Sequence, residues 1–215
     1  MPVELPLDVS QFLASAAPLR TRALGINPLS SEQAAAQSEQ IQDIPIAAEL
    51  GLVVLDDAND SNPYCLVTRG PASGMVLQLS HSSTPMLAFP DLTTFLNVLV
   101  DAVRDEQHID DIKHHGVAAL DEQQTLRATL QALLVRQDDD APTLLAILFP
   151  LLDPTDVETV TLTASDDYFL VREVAARFIE ANAIAVYREL AEVLSGDPYG
   201  QVARPARRAL DQMRS

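Results

Sequence analysis

The fold of the first half of this chain is decided by residues 50–79, which read LGLVVLDDANDSNPYCLVTRGPASGMVLQL. They contain three short apolar runs rich in β-branched residues, at 50–55, 64–68 and 75–79, separated by two segments dense in Asp, Asn, Ser, Gly and Pro. Such runs are typical of β-strands, and the intervening residues are typical of turns. The stretch therefore predicts three strands of an antiparallel meander.

The residues that follow continue this pattern. Residues 86–89 (MLAF) predict a fourth strand, after a turn rich in Ser, Thr and Pro. Pro90 and Asp91 then open an amphipathic helix over 92–103, because its apolar residues recur at three- and four-residue spacings. We expect this helix to pack on the sheet.

Helices are also predicted upstream of the strands. Ser30 is placed to start a polar helix across 30–42, which is rich in strong helix formers. Ser10 is placed to cap a first helix before Phe12. The predicted class of this part is α+β, with helices packed on a small antiparallel sheet.

Strand patterns nearly vanish after Arg104, and the remainder predicts one helix after another. The polar, acid-rich residues 105–111 and Gly116 are typical of a joint between two parts. We therefore expect an α+β domain over 1–110 and an all-α region over 117–215.

The helical part repeats itself at a shift of about 31 residues. Four residues of the first copy (Asp166, Val171, Ala175, Ile179) correspond to four of the second (Asp197, Val202, Ala206, Leu210). Residues 130–134 align loosely with 190–194. An acidic turn followed by a helix with Val and small Ala residues on its inner face predicts stacked helical hairpins.

Composition favours a folded protein and limits its partners. The chain has 215 residues, of which 47% are hydrophobic, and its 31 Asp and Glu outnumber its 14 Lys and Arg to give a net charge of −17. Because nearly half of its residues are apolar, the chain can form a substantial buried core. The acid surplus repels nucleic-acid phosphates and anionic lipids, so a basic protein is the expected partner, with no direct nucleic-acid binding. The oligomeric state is left open.

Sequence features also favour the cytoplasm. Cys65 is the one cysteine, so the chain has no intrachain disulfide to indicate an oxidising compartment. The first residues, MPVELPLD, lack the basic segment of a secretory signal. The best apolar run, 144–152, is far shorter than the roughly 18 residues of a membrane helix. We expect a cytoplasmic protein without membrane contact.

A resemblance to a known family is carried by residues 55–64 (LDDANDSNPY), 70–76 (GPASGMV), His81 and 89–96 (FPDLTTFL). Through them, about residues 44–104 resemble the SUKH superfamily, which includes a fungal cell-wall synthesis regulator and many bacterial toxin-immunity proteins. In that family an acidic, Asn-rich turn leads into a strand, and a Gly-containing turn reverses it. The resemblance implies an α+β fold and a role in binding a toxin.

A second resemblance is carried by residues 166–176 (DDYFLVREVAA) and 197–206 (DPYGQVARPA). Through them, residues 123–213 resemble short HEAT-like helical repeats. The second copy departs from the first where Ala203 replaces Arg172, and Pro205 is expected to interrupt its helix. The resemblance implies stacked hairpins whose surface binds other proteins.

The patterns typical of metal sites are incomplete. The spacing of Asp57, Asn59 and Ser61 is that of a calcium loop, but Asn62 stands where Gly is needed and Thr68 where a bidentate Glu is needed. A solvated Asx turn explains the segment better. The histidines at 108, 114 and 115, near Asp110 and Asp111, lack a zinc-binding spacing and are expected in a solvated linker. We assign no metal and no cofactor.

Catalytic motifs are equally lacking. The sequence contains no GxSxG, no GxxxxGK[ST] and no GxGxxG. Cys65 lies in a predicted strand and is expected in the core. A hydrolase that depends on His81 or Asp57 would lack any recognisable partner residue. We therefore assign no catalytic residues and expect a protein that is not an enzyme.

What remains is the acidic surface. Candidate partner-binding residues lie on three predicted turns: Asp56, Asp57, Asn59 and Asp60; Asp138, Asp139 and Asp140; and Asp166 and Asp167. They either attract a basic partner or only cap helices and maintain solubility. The first hypothesis is a non-enzymatic immunity-like protein that occludes a cationic nuclease or deaminase toxin. The alternative is an assembly or regulatory scaffold that binds through its helical repeats.

Overall fold

The computed structural model describes residues 5–56, 62–80, 83–112, 117–136 and 138–214. The chain forms two compact units, Met1–Ala118 and Ala119–Ser215. In the first, the helices are α1 (Leu7–Ala16), α2 (Ser31–Ile41), α3 (Pro45–Leu50) and α4 (Leu92–Arg104), and the strands are β1 (Val53–Val54), β2 (Tyr64–Leu66), β3 (Val76–Gln78) and β4 (Met86–Phe89). In the second, the helices are α5 (Gln123–Leu134), α6 (Ala141–Leu148), α7 (Val157–Ala164), α8 (Phe169–Ala181), α9 (Arg188–Ser195) and α10 (Gly200–Gln212).

The strands form an antiparallel sheet in the order β1-β2-β3-β4. The predicted α+β class and the meander are therefore confirmed. The β3–β4 register pairs Val76 with Phe89 but Leu77 with Leu87, so Ala88 is an extra residue in a bulge. The bulge adds local twist to β4, the last strand of the meander.

One aromatic cluster joins the sheet to the helices of the first unit. Phe95 of α4 lies 5.5 Å from Phe12 of α1 and 4.8 Å from both Tyr64 and Phe89, measured between ring centroids. All four rings are buried. Asp91 starts α4 by accepting a hydrogen bond from the Thr94 N–H at 2.6 Å, which fixes the helix where Phe95 reaches the sheet.

Side chains of α2 and of the residue that follows it, Gln42, cover the β1 edge of the sheet. Ser38 is completely buried; its Oγ accepts a hydrogen bond from the Val54 N–H at 2.9 Å and donates one to the Ala34 carbonyl at 2.6 Å. The Gln42 amide donates to the Leu52 carbonyl at 3.3 Å. These bonds occupy backbone groups that would otherwise be free to pair with another strand.

The sequence-based boundaries are wrong at two places. Ser10 lies inside α1, because the helix begins after Pro6, whose carbonyl accepts from the Ser10 N–H at 3.2 Å. Residues 50–52 are not strand, because α3 runs to Leu50 and Gly51 ends it with φ +60°. Pro6 occupies the N-cap position of α1 in place of the expected Ser10, and Pro45 lies in the first turn of α3, where no helix was predicted.

The described residues of the second unit form the helical hairpins α5–α6, α7–α8 and α9–α10. Helix α8 contacts both α6 and α10, so the hairpins are stacked. Helices α7 and α9 begin at Val157 and Arg188, and α8 and α10 begin at Phe169 and Gly200, so the starts are 31 residues apart in both layers. The internal repeat read from the sequence is therefore a repeat of structure. Helix α10 continues through Pro205, so the interruption expected there is wrong.

Candidate functional site

The first acidic turn contributes one described candidate, Asp56, which is buried with 5% of its surface exposed. Its carboxylate accepts a hydrogen bond from the Tyr64 N–H at 2.7 Å and so ties the end of β1 to the start of β2. Asp57, Asn59 and Asp60 lie outside the described residues, as does the calcium-like spacing of which they are part. Asp56 thus holds the sheet together and does not face a partner.

The second acidic turn connects α5 to α6. Asp138 organises it by accepting hydrogen bonds from the Ala141 N–H at 2.9 Å and from Arg136 Nε at 2.7 Å. The bond from Arg136 is the main cause that lowers the pKa of the Asp138 carboxyl, and the Ala141 N–H adds to it. The carboxylates of Asp139 and Asp140 have no partner among the described residues.

The third acidic turn, between α7 and α8, and the turn between α9 and α10 are built alike. Asp166 Oδ1 accepts from the Tyr168 N–H at 2.8 Å, and Asp197 Oδ1 accepts from the Tyr199 N–H at 2.8 Å. The Asp167 carboxylate is exposed and has no partner among the described residues. Asp166 and Asp197 therefore each fix the backbone of their turn and position the tyrosine two residues later.

Arg172 joins these two turns. Its Nε donates to Asp197 Oδ2 at 2.7 Å, and its Nη1 donates to the carbonyls of Asp166 and Asp167, each at 2.8 Å. Partial burial raises the pKa of the Asp197 carboxyl, but the hydrogen bonds from Arg172 and the Tyr199 N–H outweigh it and leave the pKa lowered. Asp197 is therefore ionised near neutral pH.

The second and third acidic turns and the turn between α9 and α10 lie at the same edge of the second unit. At the opposite edge, Arg127 of α5 pairs with Asp156 before α7, and Gln123 donates to the Leu151 carbonyl at 3.0 Å. Since α5 and α7 thus start side by side, they also end on the same side. We call Asp138, Asp139, Asp140, Asp166, Asp167 and Asp197 the acidic edge. The candidates of the second and third turns therefore lie on the same side of this unit.

Aromatic rings at this edge were not among the predicted site residues. Tyr168 is 42% exposed and Tyr199 is 46% exposed, although each directly follows an acidic turn. Phe169 lies between them, 4.3 Å from the Tyr199 ring and 5.7 Å from the Tyr168 ring, measured between centroids. The signal was present in the sequence as an Asp-x-Tyr pattern repeated after 31 residues.

Elsewhere the described residues offer little chemistry. They contain no group of three or more His, Cys, Asp or Glu that could hold a metal ion. Burial, and after it the Asp56 carboxylate, raises the pKa of the Cys65 thiol well above its ordinary value, so the thiol stays protonated. His108 is half-buried against Gly25 and not in a solvated linker as expected. His81, His114 and His115 lie outside the described residues.

Comparison with family models, with curated proteins and with solved structures gave no match to this chain. Within the described residues, no helix is both long and apolar enough to cross a membrane.

Proposed function

We propose that this chain is a non-enzymatic protein-binding protein, similar to bacterial immunity factors, that neutralises a cationic toxin of the nuclease or deaminase type. The observation that carries the proposal is the acidic edge in a chain of net charge −17. Asp139, Asp140 and Asp167 have no cationic partner among the described residues, so their charge remains available to another molecule. The SUKH-like segment of the first unit supports the same role.

The proposed mechanism is occlusion. A nuclease or nucleic-acid deaminase carries Lys and Arg where the phosphates of its substrate bind. Carboxylates of the acidic edge would take the place of those phosphates and cover the toxin's substrate-binding surface. The field of the acid surplus would also accelerate the encounter, and salt would slow it.

The test is titration of the full-length chain with purified toxin domains encoded beside it, at low and high salt. We expect salt-sensitive binding and loss of toxin activity on its nucleic acid. The triple variant Asp139→Asn, Asp140→Asn, Asp167→Asn should bind about tenfold more weakly. The matched control, Glu158→Gln, Glu189→Gln, Glu192→Gln, removes three exposed charges from α7 and α9 and should bind nearly as wild type. Failure to bind or neutralise any neighbouring toxin would refute the proposal.

An exposed aliphatic face favours a second candidate, an assembly or regulatory scaffold. Leu162 of α7 is 50% exposed and Val193 of α9 is 74% exposed, at equivalent positions of the repeat. Glu158 and Glu189 lie one helical turn before them. This pattern fits a partner that packs across the helices and not on the turns.

Toxin protection in cells separates the two candidates. Under the immunity proposal, the acidic-edge triple variant loses protection and the variant Leu162→Ser, Val193→Ser retains it. Wild-type protein that gives no protection, together with an assembly lost in the Leu162→Ser, Val193→Ser variant, would favour the scaffold.

A further inference from the structure

We propose that Tyr168, Phe169 and Tyr199 form a docking site for an arginine-bearing segment of a partner protein. We call these three residues the aromatic ledge. The proposal rests on the proposed function, in which the partner is a basic protein. It specifies the surface of this chain that binds the partner and the side chain of the partner, arginine, that is recognised.

The ledge exposes aromatic surface that the core does not use. Phe169 and Tyr199 are stacked with an interplanar angle of 12°, and the Tyr168 ring meets Phe169 edge-on at 87°. Tyr168 and Tyr199 nevertheless remain 42% and 46% exposed. Tyrosine is one of the residues enriched among those that contribute most of the binding energy in protein interfaces.

The ledge is also rigid before any partner binds. The backbone of each tyrosine is hydrogen-bonded to the aspartate two residues earlier, at 2.8 Å in both turns. Arg172 ties the two turns together through Asp197, and its side chain is only 16% exposed. A preformed surface loses little conformational entropy on binding, so more of the contact energy appears as affinity.

Charge complementarity identifies the occupant. Asp167 lies next to Tyr168, and Asp139 and Asp140 lie on the neighbouring turn; none of the three carboxylates has a partner among the described residues. Of the cations at this edge, Arg136 and Arg172 are bound to Asp138 and Asp197, Arg207 donates to the Ser195 carbonyl, and Arg204 lies beside Gly200. The six carboxylates of the acidic edge outnumber these four arginines.

A guanidinium fits both parts of this surface. It stacks on an aromatic face and can donate two parallel hydrogen bonds to a carboxylate. A lysine ammonium is a compact, strongly hydrated charge that matches the acids but stacks less well. The ledge therefore selects arginine over lysine.

The test uses the full-length chain and two fluorescein-labelled peptides, one with several arginines spaced by Gly-Ser and one with lysines in their place, followed by fluorescence anisotropy. We expect the arginine peptide to bind several-fold more tightly. In the variant Tyr168→Ala, Tyr199→Ala, arginine binding should fall about tenfold and the preference over lysine should disappear.

Two further variants keep the test decisive. Tyr168→Phe, Tyr199→Phe retains the ring faces and should keep the arginine preference even if the alanine variant fails to fold, which circular dichroism would reveal. Leu162→Ala, Val193→Ala removes exposed apolar side chains elsewhere on the same unit and should bind as wild type. Equal binding of both peptides to wild type, or equal effects of the tyrosine and aliphatic variants, would overturn the proposal.

The outcomes also separate the ledge from the immunity role. If a neighbouring toxin binds equally well to wild type and to Tyr168→Ala, Tyr199→Ala, the ledge is wrong and the immunity role stands. If no toxin binds but the arginine preference persists and depends on the tyrosines, the ledge stands and the immunity role fails.

Discussion

Gly51 is a tightly constrained residue of the first unit. It ends α3 with φ +60°, a left-handed conformation that favours glycine. Its carbonyl accepts a hydrogen bond from Thr68 Oγ1 at 2.6 Å, and Arg69 Nη1 donates to the Ala48 carbonyl at 2.9 Å. A Cβ at Gly51 would overlap Thr68 Oγ1 and approach Arg69 Cγ to 2.9 Å. The end of α3 is thus fitted against the residues that follow β2.

We therefore expect Gly51→Ala to destabilise the protein by about 2–5 kcal/mol, the sum of left-handed strain and overpacking. Gly70→Ala is the matched control, because Gly70 also has positive φ, at +74°, but no atom lies within 4 Å of its added Cβ. That control should cost only the strain, about 1–2 kcal/mol. Urea unfolding followed by circular dichroism measures both, and equal losses would show that the contact with Thr68 is unimportant.

At the scale of the elements, sequence patterns predicted those helices and strands whose formation depends on neighbouring residues along the chain. Strands β2, β3 and β4, helix α4 and the hairpin repeat follow from short apolar runs, helical spacing and turn residues, and the structure contains them. Helix α3 was missed because it has only six residues and an apolar composition that also fits a strand. Its assignment depends on Gly51, whose conformation is set by tertiary contacts.

The candidate site also combines features that the local sequence predicts with features that depend on tertiary contacts. Acidic turns are visible in the sequence, but which carboxylates remain free depends on partners that are distant along the chain. Asp56 is buried by a bond to Tyr64, eight residues away, and Asp197 is bound by Arg172, 25 residues away. The exposure of Tyr168 and Tyr199 also depends on how the hairpins stack. None of these contacts has a local sequence pattern.

Tyr187 connects successive hairpins at the edge opposite the acidic turns. Its ring is buried, and its hydroxyl donates to the Pro154 carbonyl at 2.7 Å. Burial, and then the Asp156 and Asp153 carboxylates, raise the pKa of Tyr187 to about 12. The folded state therefore needs the neutral phenol, whereas the unfolded chain ionises near the ordinary value of 10.

This linkage makes a prediction with a definite sign. The stability that Tyr187 contributes is complete below about pH 10 and is lost as the pH rises toward about 12, because only the unfolded state then releases the proton readily. Tyr187→Phe should cost about 1–2 kcal/mol at neutral pH by leaving the Pro154 carbonyl without its donor. The difference in stability from wild type should shrink between about pH 10 and about pH 12 in urea titrations. A constant difference would show that the Tyr187 pKa is unshifted.

Across the whole molecule, several arginines form ion pairs, but many acidic side chains are left without a neutralising positive charge. Arg127, Arg172 and Arg208 each pair with a carboxylate that is well buried or half-buried. With 31 acids and 14 Lys and Arg, pairing cannot neutralise the surplus. The surplus that would recruit a basic partner must therefore also repel itself in the free protein.

This repulsion predicts how salt affects stability. Raising NaCl from about 10 mM to about 150 mM shortens the screening length from about 30 Å to about 8 Å. Repulsion is stronger in the compact state than in the expanded unfolded chain, so screening stabilises the fold. We expect the midpoint of thermal unfolding to rise by about 2–4 °C for each kcal/mol of repulsion relieved.

The control for this effect is the variant Glu158→Gln, Glu189→Gln, Glu192→Gln, whose acids are exposed and carry no ion pair among the described residues. It should unfold at a higher temperature than wild type in low salt and respond less to added NaCl, because less repulsion remains to be screened. Exposed ion pairs act in the opposite direction, since salt weakens them, but each contributes little. A midpoint that falls steadily with NaCl would mean that the ion pairs outweigh the acid surplus, and the charge could then serve binding without a cost in stability.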